Sequence, residues 1–351
     1  MQYRTCGQRR GFTIIEVVAL VTGLGAGAAV VGVLAAQPAT EPKPALKPED
    51  KPAKPSGVVG QNPSMLSALA KARASARQIK CEAQVRGMTQ AMIVWASGNE
   101  SKYPLPSDFD VGNQTVAELG RAKDTTANIY SLLIYNGSIS SEICVCPDEH
   151  NKQIRPYTKY EYTAPKKAVV PAMGIWDPAF ATDFTSGKGR TSYAHLQPSG
   201  DFVVSGNKDK KGKPMMEPTG RLSMWSDTFA MNEAVLGDRG PEIESVAAGQ
   251  ADEVMSSKAK TKLNTSITLK NHGAPGTWEG NVGYNDSHVE FLTTLNPSGA
   301  ISGNKYTDAD GKNRWDSIYF DESDDAKAAN TYLGIFVKAG KSPKEFKGIW
   351  D

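Results

Sequence analysis

Residues able to do chemistry fall into four patterns in this chain. His272, Asp286 and His288 have the donor types of a metal site or an acid–base pair. Asp286 lies between two strand-like runs, 281–284 and 288–291, where an aspartate bonds turn backbone, so structural roles are expected for all three. Cys81, Cys144 and Cys146 are the cysteines left if Cys6 is removed with the N-terminus, and three thiols allow one bridge and one spare, or none. A Cys-x-Cys pair with one distant cysteine is poor metal spacing, so no metal is expected there. Residues 308–313, with Asp308, Asp310 and Asn313, resemble part of a calcium loop. Counting Asp308 as the third loop position puts Tyr306 first and Ser317 twelfth, both unsuitable, so a plain Asp-Gly turn is expected. The fourth pattern is Glu16, a lone carboxylate inside an apolar run. No GxSxG, HExxH or phosphate-binding glycine loop is present, so neither enzymatic activity nor a cofactor is expected.

Charge narrows the partners. Lys and Arg total 40 against 38 Asp and Glu, a net charge of +2, so no nucleic-acid partner is expected. The distribution is uneven. Residues 1–11 are polar and carry Arg4, Arg9 and Arg10, whereas residues 12–36 carry a single charge. As a helix, those 25 residues would extend about 37 Å, enough to cross a hydrocarbon core of about 30 Å. The leading arginines orient such a span with its N-terminus in the cytoplasm. Ala35-Ala36 at its far end would suit an ordinary signal-peptide cut. Against that stands Glu16, since a carboxylate at mid-membrane costs roughly 2.5–3.5 kcal/mol.

The elements needed to position these groups follow. Residues 37–63 hold seven prolines with interleaved lysines and read as an extended, semi-rigid spacer. From Ser64, a plausible N-cap, a helix is expected to about residue 97 and to end at Gly98-Asn99. Its apolar stripe is Leu66, Leu69, Ala72, Ala76, Ile79 and Ala83, then Met88, Met92 and Trp95. Lys71, Arg73, Arg77, Lys80 and Arg86 form a solvated basic face. Beyond it the chain is rich in turns and short strands, with candidates at 190–196, 201–204 and 221–229 and a hairpin at 281–291. The expected fold class is α+β: an N-terminal transmembrane helix, a proline-rich spacer, and an amphipathic helix packed on an antiparallel sheet. The expected divisions are 1–11, 12–36, 37–63 and 64–351.

Gly11-Phe12-Thr13-Ile14-Ile15-Glu16 after a basic leader resembles the processing site of type IV prepilins and type II secretion pseudopilins. The resemblance implies a cut between Gly11 and Phe12 by a prepilin peptidase, with methylation of the new amine on Phe12. It also implies that Glu16 neutralises a new N-terminal amine within an assembly, since a buried pair is tolerated better than either charge alone. Residues 68–104 are similar to the second half of the pilin helix in a large group of planctomycete-type prepilin-like proteins, including the Tyr103-Pro104 exit. The spacer departs from the family, in which one helix usually runs unbroken into the head.

Residues 128–152 are similar to a family segment in which a short helix leads to a strand ending in Cys146-Pro147-Asp148. This implies a disulfide between Cys81 and Cys146, with Cys144 as the rival partner and three free thiols as the remaining alternative. Residues 271–292 resemble a family motif of a histidine, an Asn-Val-aromatic strand, an Asp turn and a His-Val-aromatic strand. Here Ser287 replaces the family's turn glycine. Residues 236–239 also fit the family. Some pseudopilins carry calcium in C-terminal loops, which keeps Asp308 and Asp310 of interest. The implied function is a pilin or pseudopilin subunit whose partners are prepilin peptidase, other pilin-like subunits and inner-membrane lipid. The implied location is the inner membrane, single-pass, with the head periplasmic or extracellular. A membrane-tethered binding module that uses the prepilin route only for export is the alternative, favoured by the spacer.

Overall fold

The computed structural model describes residues 63–208, 212–243, 266–272, 278–293, 305–307, 313–321 and 330–351. Contacts divide the chain into residues 1–60 and 61–351, and the first unit lies outside the described residues. The leader, the 12–36 span and all but the end of the spacer therefore lie outside them as well.

The longest element, α1 (Pro63–Gly98), begins on a proline, whose fixed φ suits a first turn. It stops where Glu100 and Ser101 take positive φ of 55° and 62°. There Asn99 Nδ2 donates to the Trp95 carbonyl at 2.7 Å, satisfying one of the last free acceptors. The two halves of α1 differ. Residues 66–76 are all exposed, whereas Cys81, Val85, Met88, Thr89, Met92, Trp95 and Ala96 are buried at steps of three and four. Burying Val85, Met88 and Met92 contributes roughly 1.5–3 kcal/mol each. The expected stripe is thus buried only in its second half. Leu66, Leu69 and Ile79 remain 48%, 47% and 63% exposed.

The short helices α2 (Pro106–Phe109), α3 (Thr126–Tyr135) and α4 (Arg221–Met224) follow in chain order. The strands are β1 (Tyr193–Leu196), β2 (Phe202–Lys208), β3 (Pro214–Pro218), β4 (Ala234–Asp238), β5 (Gly280–Tyr284) and β6 (Val289–Leu292). They continue with β7 (Lys305–Thr307), β8 (Asn313–Trp315), β9 (Leu333–Gly334), β10 (Phe336–Lys338) and β11 (Lys347–Gly348). Five strands pair in the order β6-β5-β4-β1-β9, antiparallel throughout. The pairs β2–β3, β7–β8 and β10–β11 form separate two-stranded ribbons. The second half of α1 lies on β4, β5 and β6. Gly283 permits this close approach, because a Cβ there would collide with Thr89 Oγ1 of α1. The β5–β6 turn places Ser287 at φ +69°, the left-handed geometry that favours glycine.

The α+β head with an antiparallel sheet is present, but the expected fold class needs correction. No helix among the described residues is long and apolar enough to cross a membrane. α1 has the length but carries Lys71, Arg73, Arg77, Lys80, Glu82 and Arg86. The same finding overturns the expected single-pass inner-membrane location. Two strand expectations also fail. Residues 221–224 form a helical turn, because the buried Arg221 guanidinium bonds Gln197 Oε1 at 2.7 Å and the Asn330 carbonyl at 2.8 Å. Ser141–Cys144 form a 3-10 turn, so Cys144 and Cys146 do not share one face of a strand.

Candidate functional site

Four ligand-type side chains from four separate elements meet beneath the point where α1 first touches the sheet. Cys81 is the first buried residue of α1 from Leu66 onward. Cys146 follows the 3-10 turn at Ser141–Cys144. Asp238 ends β4, in register with Tyr193 of β1. His272 follows the 3-10 turn at Ile267–Lys270. One ligand atom from each of the four lies within 4.8 Å of every other. Cys81, Cys146 and Asp238 are 0%, 3% and 5% exposed, and the His272 side chain 1%, so water does not compete for these atoms.

The contacts within the cluster are specific. Cys81 Sγ lies 3.3 and 3.4 Å from the two Asp238 carboxylate oxygens, and 3.4 Å from the Tyr193 hydroxyl. Tyr193 in turn donates to Gln84 Oε1 at 2.9 Å. His272 Nε2 lies 3.2 Å from Cys146 Sγ and 3.6 Å from Asp238 Oδ2. The other ring nitrogen, Nδ1, is buried without a hydrogen bond and faces Asp148 Oδ2 at 3.6 Å. His272 holds φ at +66°, a costly left-handed conformation for a side chain of this size.

A surrounding shell fixes the four groups. The Asn281 backbone N–H donates to Asp238 Oδ2 at 2.8 Å. The Asp148 N–H donates to Cys146 Sγ at 3.3 Å, and Arg77 Nε donates to Asp148 Oδ1 at 2.5 Å. Next to the ligands, buried Arg239 pairs with Glu149 at 2.8 Å and Asp351 at 2.7 Å, tying the Cys146 loop to β4.

Electrostatically the cluster is costly as it stands. Burial pushes the Cys81 thiol well up, with Cys146 and Asp238 adding to the effect. Burial also raises the Asp238 carboxyl, against the opposing pull of His272. Burial alone would lower His272, but the Cys81 thiol and the Asp238 carboxylate carry it up to about 9. Two thiols, an imidazole and a carboxylate thus share a dry space in which the ring and the Asp238 carboxyl pull on one another. This donor set suits a borderline-soft divalent cation.

The expected Cys81–Cys146 disulfide is not formed: Cys81, Cys144 and Cys146 are all free thiols. The two cysteines do meet, but Cys81 faces Asp238 and Cys146 faces His272. Cys144 stands apart, its Sγ 3.7 Å from the Ser140 carbonyl. His272 does not join Asp286 and His288. Those two bond one another in the β5–β6 turn, where His288 stacks on Tyr284 at 4.3 Å. Among the described residues, no group of three metal-ligand types contains Asp286 or His288.

Gly11, Phe12, Glu16, Asp308 and Asp310 lie outside the described residues. On the basic face of α1, Arg77 bonds Asp148 and Arg86 bonds Glu82. Asp321 pairs with Arg221. Sequence reasoning assigned no role to Asp238 or Tyr193. The one signal for Asp238, the fit of residues 236–239 to a family pattern, does not identify a ligand, and Tyr193 was read only as part of the strand candidate at 190–196. No family model, no curated protein and no solved structure matches the chain.

Proposed function

We propose that the chain is a prepilin-type assembly subunit, cut after Gly11 and packed against further copies, or like subunits, through the exposed half of α1. One observation carries this reading. The stripe Leu66, Leu69, Ala72, Ala76, Ile79 and Ala83 keeps the three-and-four spacing of a helix seam, yet every member is exposed. The same helix buries its later stripe against its own sheet, so the pattern specifies packing in both halves and, among the described residues, finds it in only one. A second helix of the same kind is the occupant whose spacing fits. Lys71, Arg73, Arg77 and Lys80 precede the first acid, Glu82, so copies repel at low salt and associate better as salt screens them. Cleavage after Gly11 would free the Phe12 amine, and Glu16 would supply the carboxylate that pairs with it or with a neighbour's.

Mass spectrometry of the mature chain tests the processing step, with N-methylated Phe12 expected at the terminus. A mature chain that begins after Ala36 instead would end the pilin reading. Leu69→Asp tests the seam: assemblies are lost while the melting temperature of the head stays within about 1 °C, as for an exposed surface change.

A further inference from the structure

We propose that Cys81, Cys146, Asp238 and His272 form a closed, four-ligand zinc site that fixes the direction in which α1 leaves the head. The argument begins with spacing. Zinc bonds of about 2.0–2.3 Å at tetrahedral angles hold ligand atoms about 3.3–3.8 Å apart. Three of the six edges of such a tetrahedron can be read directly. With Asp238 ligating through Oδ2, they are 3.2 Å from His272 Nε2 to Cys146 Sγ, 3.4 Å from Cys81 Sγ to Asp238 Oδ2, and 3.6 Å from His272 Nε2 to Asp238 Oδ2. The full set, within 4.8 Å, needs only a small contraction around an ion.

The donor types select the metal. Two thiolates exclude calcium and magnesium, which take oxygen ligands. Two sulfurs, one imidazole nitrogen and one carboxylate suit zinc. Deprotonated cysteines and a neutral imidazole give the ion three negative charges and one neutral donor, so binding releases the two thiol protons and the imidazolium proton on Nε2.

The second shell fits as well. A histidine that ligates through Nε2 turns its Nδ1–H toward an outer acceptor, usually a carboxylate. His272 Nδ1 faces Asp148 Oδ2, and Asp148 is held from its other oxygen by Arg77. Asp238 is aimed by Asn281, and Cys146 by the Asp148 N–H. The left-handed backbone of His272 has a purpose here, since it brings the ring back over Cys146.

Four protein ligands in a dry pocket leave no open coordination position, so the centre is structural. Its location defines what it stabilises. From Leu66 onward Cys81 is the first residue of α1 to be buried, and Arg77 anchors one turn earlier. Zinc would clamp the helix at its exit from the head and join α1, the Cys146 loop, β4 and the His272 turn. The site does not depend on the assembly reading above.

The test uses the full chain purified under reducing conditions. Elemental analysis is expected to give about one zinc per chain. Cobalt loaded in its place should produce thiolate-to-cobalt charge transfer and tetrahedral ligand-field bands. Cys81→Ser and Asp238→Asn should each weaken zinc binding more than about tenfold, while Cys144→Ser keeps it. If a ligand variant fails to fold, the cobalt spectrum of the unaltered chain still decides. Two results would overturn the site: a reduced chain that takes up neither zinc nor cobalt, or peptide mapping that finds Cys81 bridged to Cys146 in the purified protein.

Discussion

Two buried histidines in this head are in opposite conditions. His195, in the middle of β1, is fully buried. Its Nδ1 bonds the Leu196 carbonyl at 2.8 Å, and its Nε2 meets Thr126 Oγ1 at 2.8 Å. The Leu196 carbonyl only accepts, so the ring is the Nδ1–H tautomer and its Nε2 accepts from the Thr126 hydroxyl, whose oxygen also accepts the Phe336 N–H at 2.8 Å. Every polar atom of that chain is satisfied, and burial holds the ring neutral, with its pKa lowered to about 4. His272 has one nitrogen among thiols and a carboxylate and the other without a bond. Burial alone therefore does not set the role of a histidine. A ring whose own chain completes its bonds is a core residue, whereas a ring set between two thiols and a carboxylate, with its other nitrogen unbonded, has the surroundings of a metal ligand.

Linkage gives the largest contrast. A metal that binds only the folded state stabilises it by about 4 kcal/mol when free zinc is a thousandfold above its Kd. The parent chain should therefore unfold at clearly higher urea with zinc than with a chelator. His272→Ala is expected to erase that difference. His195→Ala should lower stability by about 3 kcal/mol through a cavity and a stranded Thr126 hydroxyl, yet keep the zinc dependence intact. If both variants respond equally to zinc, the two histidines are not as different as their surroundings imply.

Acid sharpens the comparison from the side of His195. Its folded pKa of about 4 lies below the ordinary value of 6.5, so the unfolded chain binds the proton more readily. The stability it contributes is fully present above about pH 6.5 and is lost as pH falls toward 4, by up to about 3 kcal/mol in all. Urea unfolding of the parent chain and His195→Gln at pH 7.5 and 4.5 checks this. The variant should lose less on acidification, and an identical loss in both would show that the ring is not held neutral.

The sequence made some of this legible, and the reasons differ by element. The span of α1 is local, set by an apolar period and by Gly98-Asn99, and the expected helix at 64–97 lies within Pro63–Gly98. The hairpin of β5 and β6 was readable from alternation around an Asn-Asp-Ser turn, and Ser287 bears the φ that the family's glycine would take. Arg221 misled, because a basic residue in a strand-like run gives no hint that its guanidinium is buried against Gln197 and Asn330. The cluster itself was legible only in fragments. Cys81 and Cys146 were singled out together, and His272 separately, but Asp238 joins them through strand register with Tyr193. Spacing rules for metal sites assume ligands on one hairpin or helix, and here each comes from a different element.

The third histidine of interest provides the smallest effect and the cleanest control. His288 was the sequence-level companion of His272, with Asp286 between them. In the structure it bonds Asp286, stacks on Tyr284, and remains 31% exposed. A contact this exposed is worth little, because water competes for both groups. His288→Ala should therefore cost about 0.5 kcal/mol and leave zinc stoichiometry at the parent value. Elemental analysis with a thermal melt measures both. Loss of zinc on removing this ring would place the cation at the hairpin turn and not beneath α1, and the contrast between His195 and His272 would lose its chemical basis.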